Sequence, residues 1–173
     1  MFRFAILALL VPSVLVAEDV SPVSLLDHGV ICEVTQTGTE AAPETASGVI
    51  NLIDQTRVID VTTQFVPAHI GLSFGLRTKM SADAVLNGAR MRIIHPPMGA
   101  NGITEQSWAA PMQAGEAALN LYTFEQDDEL LLGVWTFQVI FADKVLIEQR
   151  FEVVPQGTVP VVQQVCFGAS LTS

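Results

Sequence analysis

Basic side chains are scarce in this sequence. Lys and Arg number 8 among 173 residues, against 18 Asp and Glu, which gives a formal net charge of −10 at pH 7. A folded chain with this charge repels nucleic-acid phosphates and anionic lipid headgroups. We therefore expect neither nucleic acid nor an anionic membrane surface to be a general partner.

Charged residues of either sign are few, at 15% of the chain, whereas hydrophobic residues make up 50%. Disordered tails, collagen-like repeats and coiled coils each require a different compositional bias. The length suits one domain that can bury a hydrophobic core without metals or many disulfides. The composition thus predicts a single globular domain.

The motifs of common enzyme classes give no lead. We expect no Gly-x-Ser-x-Gly nucleophile elbow, no H-E-x-x-H helix and no phosphate-binding glycine loop. Asp27 and His28 are adjacent, but neighbouring strand residues point to opposite faces and do not form a catalytic pair. The expectation is a protein without catalytic residues or a cofactor, and a hydrolase built from two converging carboxylates stays an alternative.

The first residues have the composition of a secretory signal peptide. Arg3 precedes an apolar run over 4–16, and Ala17 stands before two acidic residues. A membrane anchor is the competing interpretation, but a helix needs roughly 20 residues to cross a bilayer, which is more than this run supplies. We predict that residues 1–17 are removed and that the mature protein is periplasmic, with no membrane span.

Cysteine is limited to Cys32 and Cys166. An even number of cysteines in an oxidising compartment favours a disulfide. Metal and redox roles are disfavoured because there is no C-x-x-C motif and no neighbouring histidine. We predict a Cys32–Cys166 disulfide that holds the C-terminal tail, residues 155–173, beside the first strand.

Alternation of apolar and polar residues predicts strands along most of the mature chain, and helical periodicity is weak throughout. The strongest pattern is a β-hairpin of 133–141 and 144–154. Residues 95–102 contain two prolines and two glycines and are predicted to leave the sheet as a loop. Eight or nine short strands indicate an all-β, immunoglobulin-like antiparallel β-sandwich, with residues 18–154 as one domain.

Four of the few basic residues stand close together in the sequence. They are Arg77, Lys79, Arg90 and Arg92. If their strands paired directly, the four would form a site for an anion or an acidic partner, because arginine binds carboxylate and phosphate in a bidentate manner. The alternatives are that acidic loops neutralise them, or that the two strands belong to different sheets.

The proline-rich loop and its surroundings form a second candidate binding region, carried by His95, Met98 and Trp108. An exposed tryptophan beside a loop suits a binding hot spot, and a lid on the end of the sandwich is the competing interpretation. His95 and Met98, with Met112 further along, are weak candidates for copper ligands, because copper accepts imidazole and thioether groups. Methionine is also an ordinary filler of irregular core gaps.

The order of several segments resembles a bacterial family known as domain of unknown function 3859. The resemblance covers residues 28–154 and implies a single domain, but it supplies no activity, ligand or catalytic residue. The matching segments in chain order are GVICEV (29–34), VPAHIGLSFGLR (66–77), HPPMG (95–99), LGVWTFQV (132–139) and LIEQRFEV (146–153).

The leading hypothesis from the sequence is an exported, non-catalytic binding module. It would recognise a periplasmic or envelope protein, or another anionic partner, through the basic cluster or the loop region. The alternative is a periplasmic carrier of a small ligand or of copper at the loop region, and an unrecognised hydrolase comes third.

Overall fold

A computed structural model gives the fold of residues 21–168. The predicted signal peptide, residues 1–17, lies outside the described residues. The described chain forms ten strands, one 3₁₀ turn at Asp127–Glu129 and one helix, α1, at Pro160–Phe167. The strands are β1 Val23–Ile31, β2 Gln36–Ala41, β3 Val49–Ile53, β4 Phe65–Pro67, β5 Ser73–Met80, β6 Arg90–Met98, β7 Ile103–Ala109, β8 Ala117–Thr123, β9 Gly133–Phe141 and β10 Lys144–Val154.

Two sheets build the sandwich. One has the order β1-β5-β8 and the other has the order β4-β10-β9-β6-β7, while β2 and β3 form a separate two-stranded arm. Neighbouring strands are antiparallel except β4, which pairs with β10 in parallel. The prediction of an all-β, immunoglobulin-like sandwich is confirmed, with ten strands in place of eight or nine.

The predicted hairpin is confirmed as β9 and β10, which pair over most of their length. Its turn is Ala142-Asp143, and both residues have positive φ, at 47° and 62°. Two consecutive residues of this kind make the tight turn whose twist matches that of the flanking strands. The long antiparallel pair forms the centre of the five-stranded sheet.

The prediction of a loop over 95–102 is wrong for its first half. β6 continues to Met98 and pairs there with Ile103 of β7. The ladder register shifts between Ile94 and Met98, so the two prolines occupy an irregular stretch in which no ladder N–H group is required. Only residues 99–102 form the connecting turn.

The arm of β2 and β3 closes one open side of the sandwich. Near its tip, residues 42–48, the carbonyl of Glu44 accepts a 3.1 Å hydrogen bond from the backbone N–H of Ser107 in β7. After the arm, Gln55 Oε1 accepts a 2.9 Å bond from the N–H of Leu119 in β8. Covering sheet edges in this way protects them from pairing with other chains.

The segment 59–62 covers one end of the outer face of the three-stranded sheet. Gly29 lies beside the segment 59–62, and a Cβ on Gly29 would come within 2.1 Å of the Val61 carbonyl oxygen. Ile31 points to this outer face by its pairing with Ser73, yet it is fully buried. At the other end of the same outer face, Ser24 and Lys79 are exposed.

The predicted disulfide is confirmed. Cys32, directly after β1, is bonded to Cys166 in α1, 134 residues away in sequence. The helix was not predicted; it buries Val162 and places Phe167 4.4 Å from the ring of His69. Among residues 21–168, no helix is both long and apolar enough to cross a membrane.

We expect the disulfide to contribute about 4 to 5 kcal/mol to the free energy of unfolding, because it closes a loop of 134 residues in the unfolded chain. The double variant Cys32→Ala/Cys166→Ala should show this loss in equilibrium urea denaturation. Wild-type protein unfolded without reductant should release no reactive thiol. Two reactive thiols per chain would contradict the pairing.

Candidate functional site

The four basic residues singled out in the sequence do not form one patch. Arg77 and Lys79 lie on β5 in the three-stranded sheet, whereas Arg90 and Arg92 lie on β6 in the five-stranded sheet. β5 pairs with β1 and β8, and β6 pairs with β7 and β9. The direct pairing that would have joined the four does not occur.

On the three-stranded sheet, Arg77 is neutralised by a carboxylate on the neighbouring strand. Its Nε and Nη2 donate to the two oxygens of Asp27 at 2.9 and 2.6 Å. This charge-assisted bond raises the pKa of Arg77 further. Lys79 is exposed and makes no salt bridge within residues 21–168. Of Arg77 and Lys79, Lys79 is therefore the one without an ion-pair partner among residues 21–168.

On the five-stranded sheet, the two arginines differ in their partners. Arg90 is paired with Glu44 from the tip of the arm and also donates to Ser107 Oγ at 2.8 and 3.0 Å. Arg92 donates from Nε and Nη2 to Gln138 Oε1 at 2.8 and 2.6 Å. Its hydrogen-bond partner is neutral, and no carboxylate of the described chain forms an ion pair with it.

The outer face of the five-stranded sheet, called the open face below, combines these charges with exposed apolar side chains. The strand register places the outward side chains of adjacent strands side by side. The residues that alternate with them point inward and include Trp135 and Ile93, which are fully buried. Large apolar groups remain accessible at one end of this face: Phe65 at 52%, Val134 at 58% and Ile94 at 37% exposure. The register assigns to the face Phe65, Glu148, Arg150, Glu152, Val134, Thr136, Gln138, Arg90, Arg92, Ile94, Glu105 and Ser107.

A hydrogen-bonded chain of polar groups runs across the centre of the open face. Gln138 accepts from Arg92 and donates from Nε2 to Glu148 Oε2 at 2.7 Å. Glu148 in turn accepts from Arg150 Nε at 3.2 Å. The chain links β6, β9 and β10 and holds these long side chains in place against the sheet.

The second candidate region is not a loop surface but a buried polar cluster, formed by His95, Met98, Gln106 and Tyr122. His95 is 4% exposed, Met98 3% and Gln106 5%. The Gln106 amide nitrogen lies 3.1 Å from His95 Nε2 and 3.9 Å from Met98 Sδ. Tyr122 donates its hydroxyl to the same sulfur at 3.7 Å. The four side chains thus share one set of hydrogen bonds.

The hydrogen bonds assign the protonation of His95. Its Nδ1 lies 2.8 Å from the carbonyl oxygen of Pro96, which can only accept, so Nδ1 carries the proton. Its Nε2 faces the amide nitrogen of Gln106, which can only donate, so Nε2 accepts. The ring also stacks on Trp135 at 4.8 Å. Burial lowers the pKa of His95, which favours this neutral form.

A cavity of about 220 Å³ lies above the cluster at this end of the sandwich. Met98 forms part of its wall together with Ala46 and Ser47 of the arm tip and with Asp128 and Glu129. Within the described residues, no group of three His, Cys, Asp or Glu side chains is placed to hold a metal ion. Of the four side chains in the cluster, Met98 is the one that lines this cavity.

The other residues singled out near this region serve the core. Trp108 lies in β7 rather than in a loop, opposite Met91 on the inward side, and packs half-buried against the main core. Met112 packs against the main core and against a smaller cluster formed by Val23, Met80, Leu86 and Ala89. Neither belongs to the hydrogen-bonded group around His95.

The expectation of no Gly-x-Ser-x-Gly motif is wrong at the level of sequence. Residues 71–75 read Gly-Leu-Ser-Phe-Gly, which matches the letters of a nucleophile elbow. Ser73, however, begins strand β5, is fully buried and shares a 2.7 Å hydrogen bond with Thr123. An elbow requires an exposed serine on a turn that leads into a helix. The match is therefore a feature of the sheet and not a catalytic site.

We expect stability to fall as the pH drops below about 6.5, the ordinary histidine pKa. Burial lowers the pKa of both His95 and His28 in the folded protein. Below pH 6.5 the unfolded chain therefore binds more protons than the folded protein, and the free energy of unfolding decreases. Urea denaturation at several pH values should show a smaller loss in His95→Gln than in the wild type. Identical pH dependence in the two proteins would contradict the role assigned to His95.

Comparison with known proteins adds a family but no activity. None of the curated protein sequences matches the chain. Four solved chains match its structure. One is the crystal structure of an immunoglobulin-like protein from Pseudomonas aeruginosa, with 20% sequence identity and a TM-score of 0.46, over 79% of this chain and 100% of that one.

The segments quoted from the sequence fall in the region that a family model matches, residues 20–153. This region includes every strand of both sheets except the last residue of β10. The chain accordingly belongs to the family described as Domain of unknown function (DUF3859).

Proposed function

We propose that the protein is an exported, non-catalytic module that binds another protein through the open face. The observation that supports this proposal is the combination, on the outer face of one sheet, of exposed apolar side chains and an arginine that forms no ion pair within residues 21–168. Apolar groups clustered beside polar residues mark interaction surfaces.

The apolar anchors of this surface are Val134 and Ile94. Thr136 is paired with Ile94 across β9 and β6, and Val134 is the next outward residue along β9, so the two anchors are diagonal neighbours. Phe65 lies in the same row as Val134, with Glu152 between them. Such side chains, on a rigid sheet, would be desolvated by a partner at little entropic cost.

The charge on Arg92 indicates the chemistry of the partner. Gln138 holds the guanidinium through Nε and Nη2, which leaves donors on Nη1 for another group. The partner that fits is a protein presenting an aspartate or glutamate side chain to Arg92, flanked by apolar residues that cover Val134 and Ile94. Complementary charge of this kind selects and orients the partner.

Two further observations support the non-catalytic and exported parts of the proposal. The buried side chains of Ser73 and His95 are engaged in hydrogen bonds with Thr123, Gln106 and the Pro96 carbonyl. The Cys32–Cys166 disulfide is typical of proteins that fold in an oxidising compartment such as the periplasm. A periplasmic or envelope protein is the partner we propose.

Site-specific photo-cross-linking in cells that naturally express the protein tests the proposal. A photoreactive residue at Val134 and, separately, at Ile94 should yield an adduct with the same protein. Val85, which is 73% exposed in the turn after β5, is the matched control position and should not yield that adduct. The adducts would be identified by mass spectrometry.

The variant Arg92→Gln should then reduce the yield of this adduct, because it removes the charge that we assign to partner recognition. Arg77→Gln on the other sheet is the control and should leave the yield unchanged. Thermal unfolding would establish that both variants are folded. An adduct formed equally at Val85, or a yield equally sensitive to Arg77→Gln and Arg92→Gln, would contradict the proposal.

A further inference from the structure

The buried polar cluster contains two groups that bind soft metal ions, the His95 imidazole and the Met98 thioether. Both face one atom, the amide nitrogen of Gln106, at 3.1 and 3.9 Å. A nitrogen lone pair and a sulfur lone pair that converge on one amide N–H₂ group can also converge on one cation.

His95 is already arranged as a metal ligand. Its Nδ1–H donates to the backbone carbonyl of Pro96 at 2.8 Å, and its ring stacks on Trp135. Metal-binding histidines commonly donate their other N–H group to a carbonyl or carboxylate, which sets the tautomer and the direction of the ligating nitrogen. Nε2 is therefore the nitrogen left to bind a cation.

Met98 supplies a soft ligand together with a route from solvent. Its side chain forms part of the wall of the 220 Å³ cavity. The Tyr122 hydroxyl donates to Met98 Sδ at 3.7 Å, and burial together with the charges of Glu129 and Glu125 raises the pKa of this hydroxyl. The tyrosine stays neutral, and the same negative charges favour a cation at this end of the sandwich.

Gln106 is held by the arm rather than by the cluster alone. Its Oε1 accepts a 2.8 Å hydrogen bond from the backbone N–H of Ala46 in the arm tip. The tip is attached to β7 by the Ser107 N–H to Glu44 carbonyl bond and to β6 by the Arg90–Glu44 ion pair. Movement of the tip away from β7 would draw the Gln106 amide off His95 and Met98.

We propose that His95 Nε2 and Met98 Sδ bind a soft monovalent cation, Cu(I) or Ag(I), which displaces the amide of Gln106. Thioether and imidazole ligands suit Cu(I), and two such ligands without a carboxylate disfavour hard divalent cations. Binding involves no electron transfer, and the Gln106 amide moves from the two ligands towards the arm tip and solvent.

Titration of the oxidised protein with silver nitrate in chloride-free buffer tests the site, with the ε-methyl groups of methionine labelled for NMR. The resonance that disappears in Met98→Leu should be the one that shifts with Ag(I). His95→Gln and Met98→Leu should each weaken Ag(I) binding about tenfold or more, since even a change beyond the direct ligands costs about 10 to 100-fold in metal affinity. Met112→Leu is the matched control and should bind as the wild type does.

A further variant tests the displacement of Gln106, and its Ag(I) affinity should change in the opposite direction. Gln106→Ala removes the competing amide and should tighten Ag(I) binding roughly tenfold, because the lost hydrogen bonds no longer have to be broken. A variant that merely disturbed the fold would weaken binding instead. Weaker binding by a Gln106→Ala protein that unfolds at the same temperature as the wild type would overturn the displacement. Equal affinity of the wild type and the His95→Gln/Met98→Leu double variant would overturn the site.

Discussion

The packing of aromatic rings between the two sheets is the constraint on which the rest of this structure depends. Phe74 of the three-stranded sheet lies 5.2 to 5.5 Å from four rings: Phe124, Trp135, Phe137 and Phe151. Because successive strand residues alternate between faces, burying Trp135 and Phe137 turns Val134, Thr136 and Gln138 outward. A one-residue slip would place those polar and exposed groups in the core. The open face is thus a consequence of the aromatic core behind it.

The same aromatic core ends in the polar cluster. Trp135 contacts Phe74 on the apolar side and stacks on His95 at 4.8 Å, and it lies 4.9 Å from Tyr122. Its indole N–H donates to the Leu131 carbonyl at 3.0 Å. Buried polar groups are tolerated when each has a hydrogen-bond partner. Here the rigid Trp135 ring packs directly against His95 and Tyr122. The position of His95 is therefore set by the core and not by the surface turn after β6.

One long connection covers part of the outer face of the three-stranded sheet and contacts the five-stranded sheet at its edges. The chain between β1 and β4 forms the arm, passes Gly29 and then joins β10 through β4. It thereby buries Ile31 on the three-stranded sheet and seals the β7 and β8 edges by the bonds to Ser107 and Leu119. On the outer face of the five-stranded sheet, the connection contacts Arg90 through Glu44. The proposed anchors Val134 and Ile94 stand at the other end of the open face from Arg90.

The sequence by itself determined the all-β class, the β9–β10 hairpin and, because Cys32 and Cys166 have no alternative partners, the disulfide. Alternation and a short turn are local features of the chain, and the disulfide follows from the presence of two cysteines although they are 134 residues apart. Only the tertiary structure decided that Arg77 and Arg92 belong to different sheets, that Glu44 is the partner of Arg90 and that Gln106 joins His95 to Met98. Alternation indicates which side chains share a face of one strand, but it carries no information on which strand lies next to it. That choice is made by burial of the whole aromatic core, and the candidate sites follow from it.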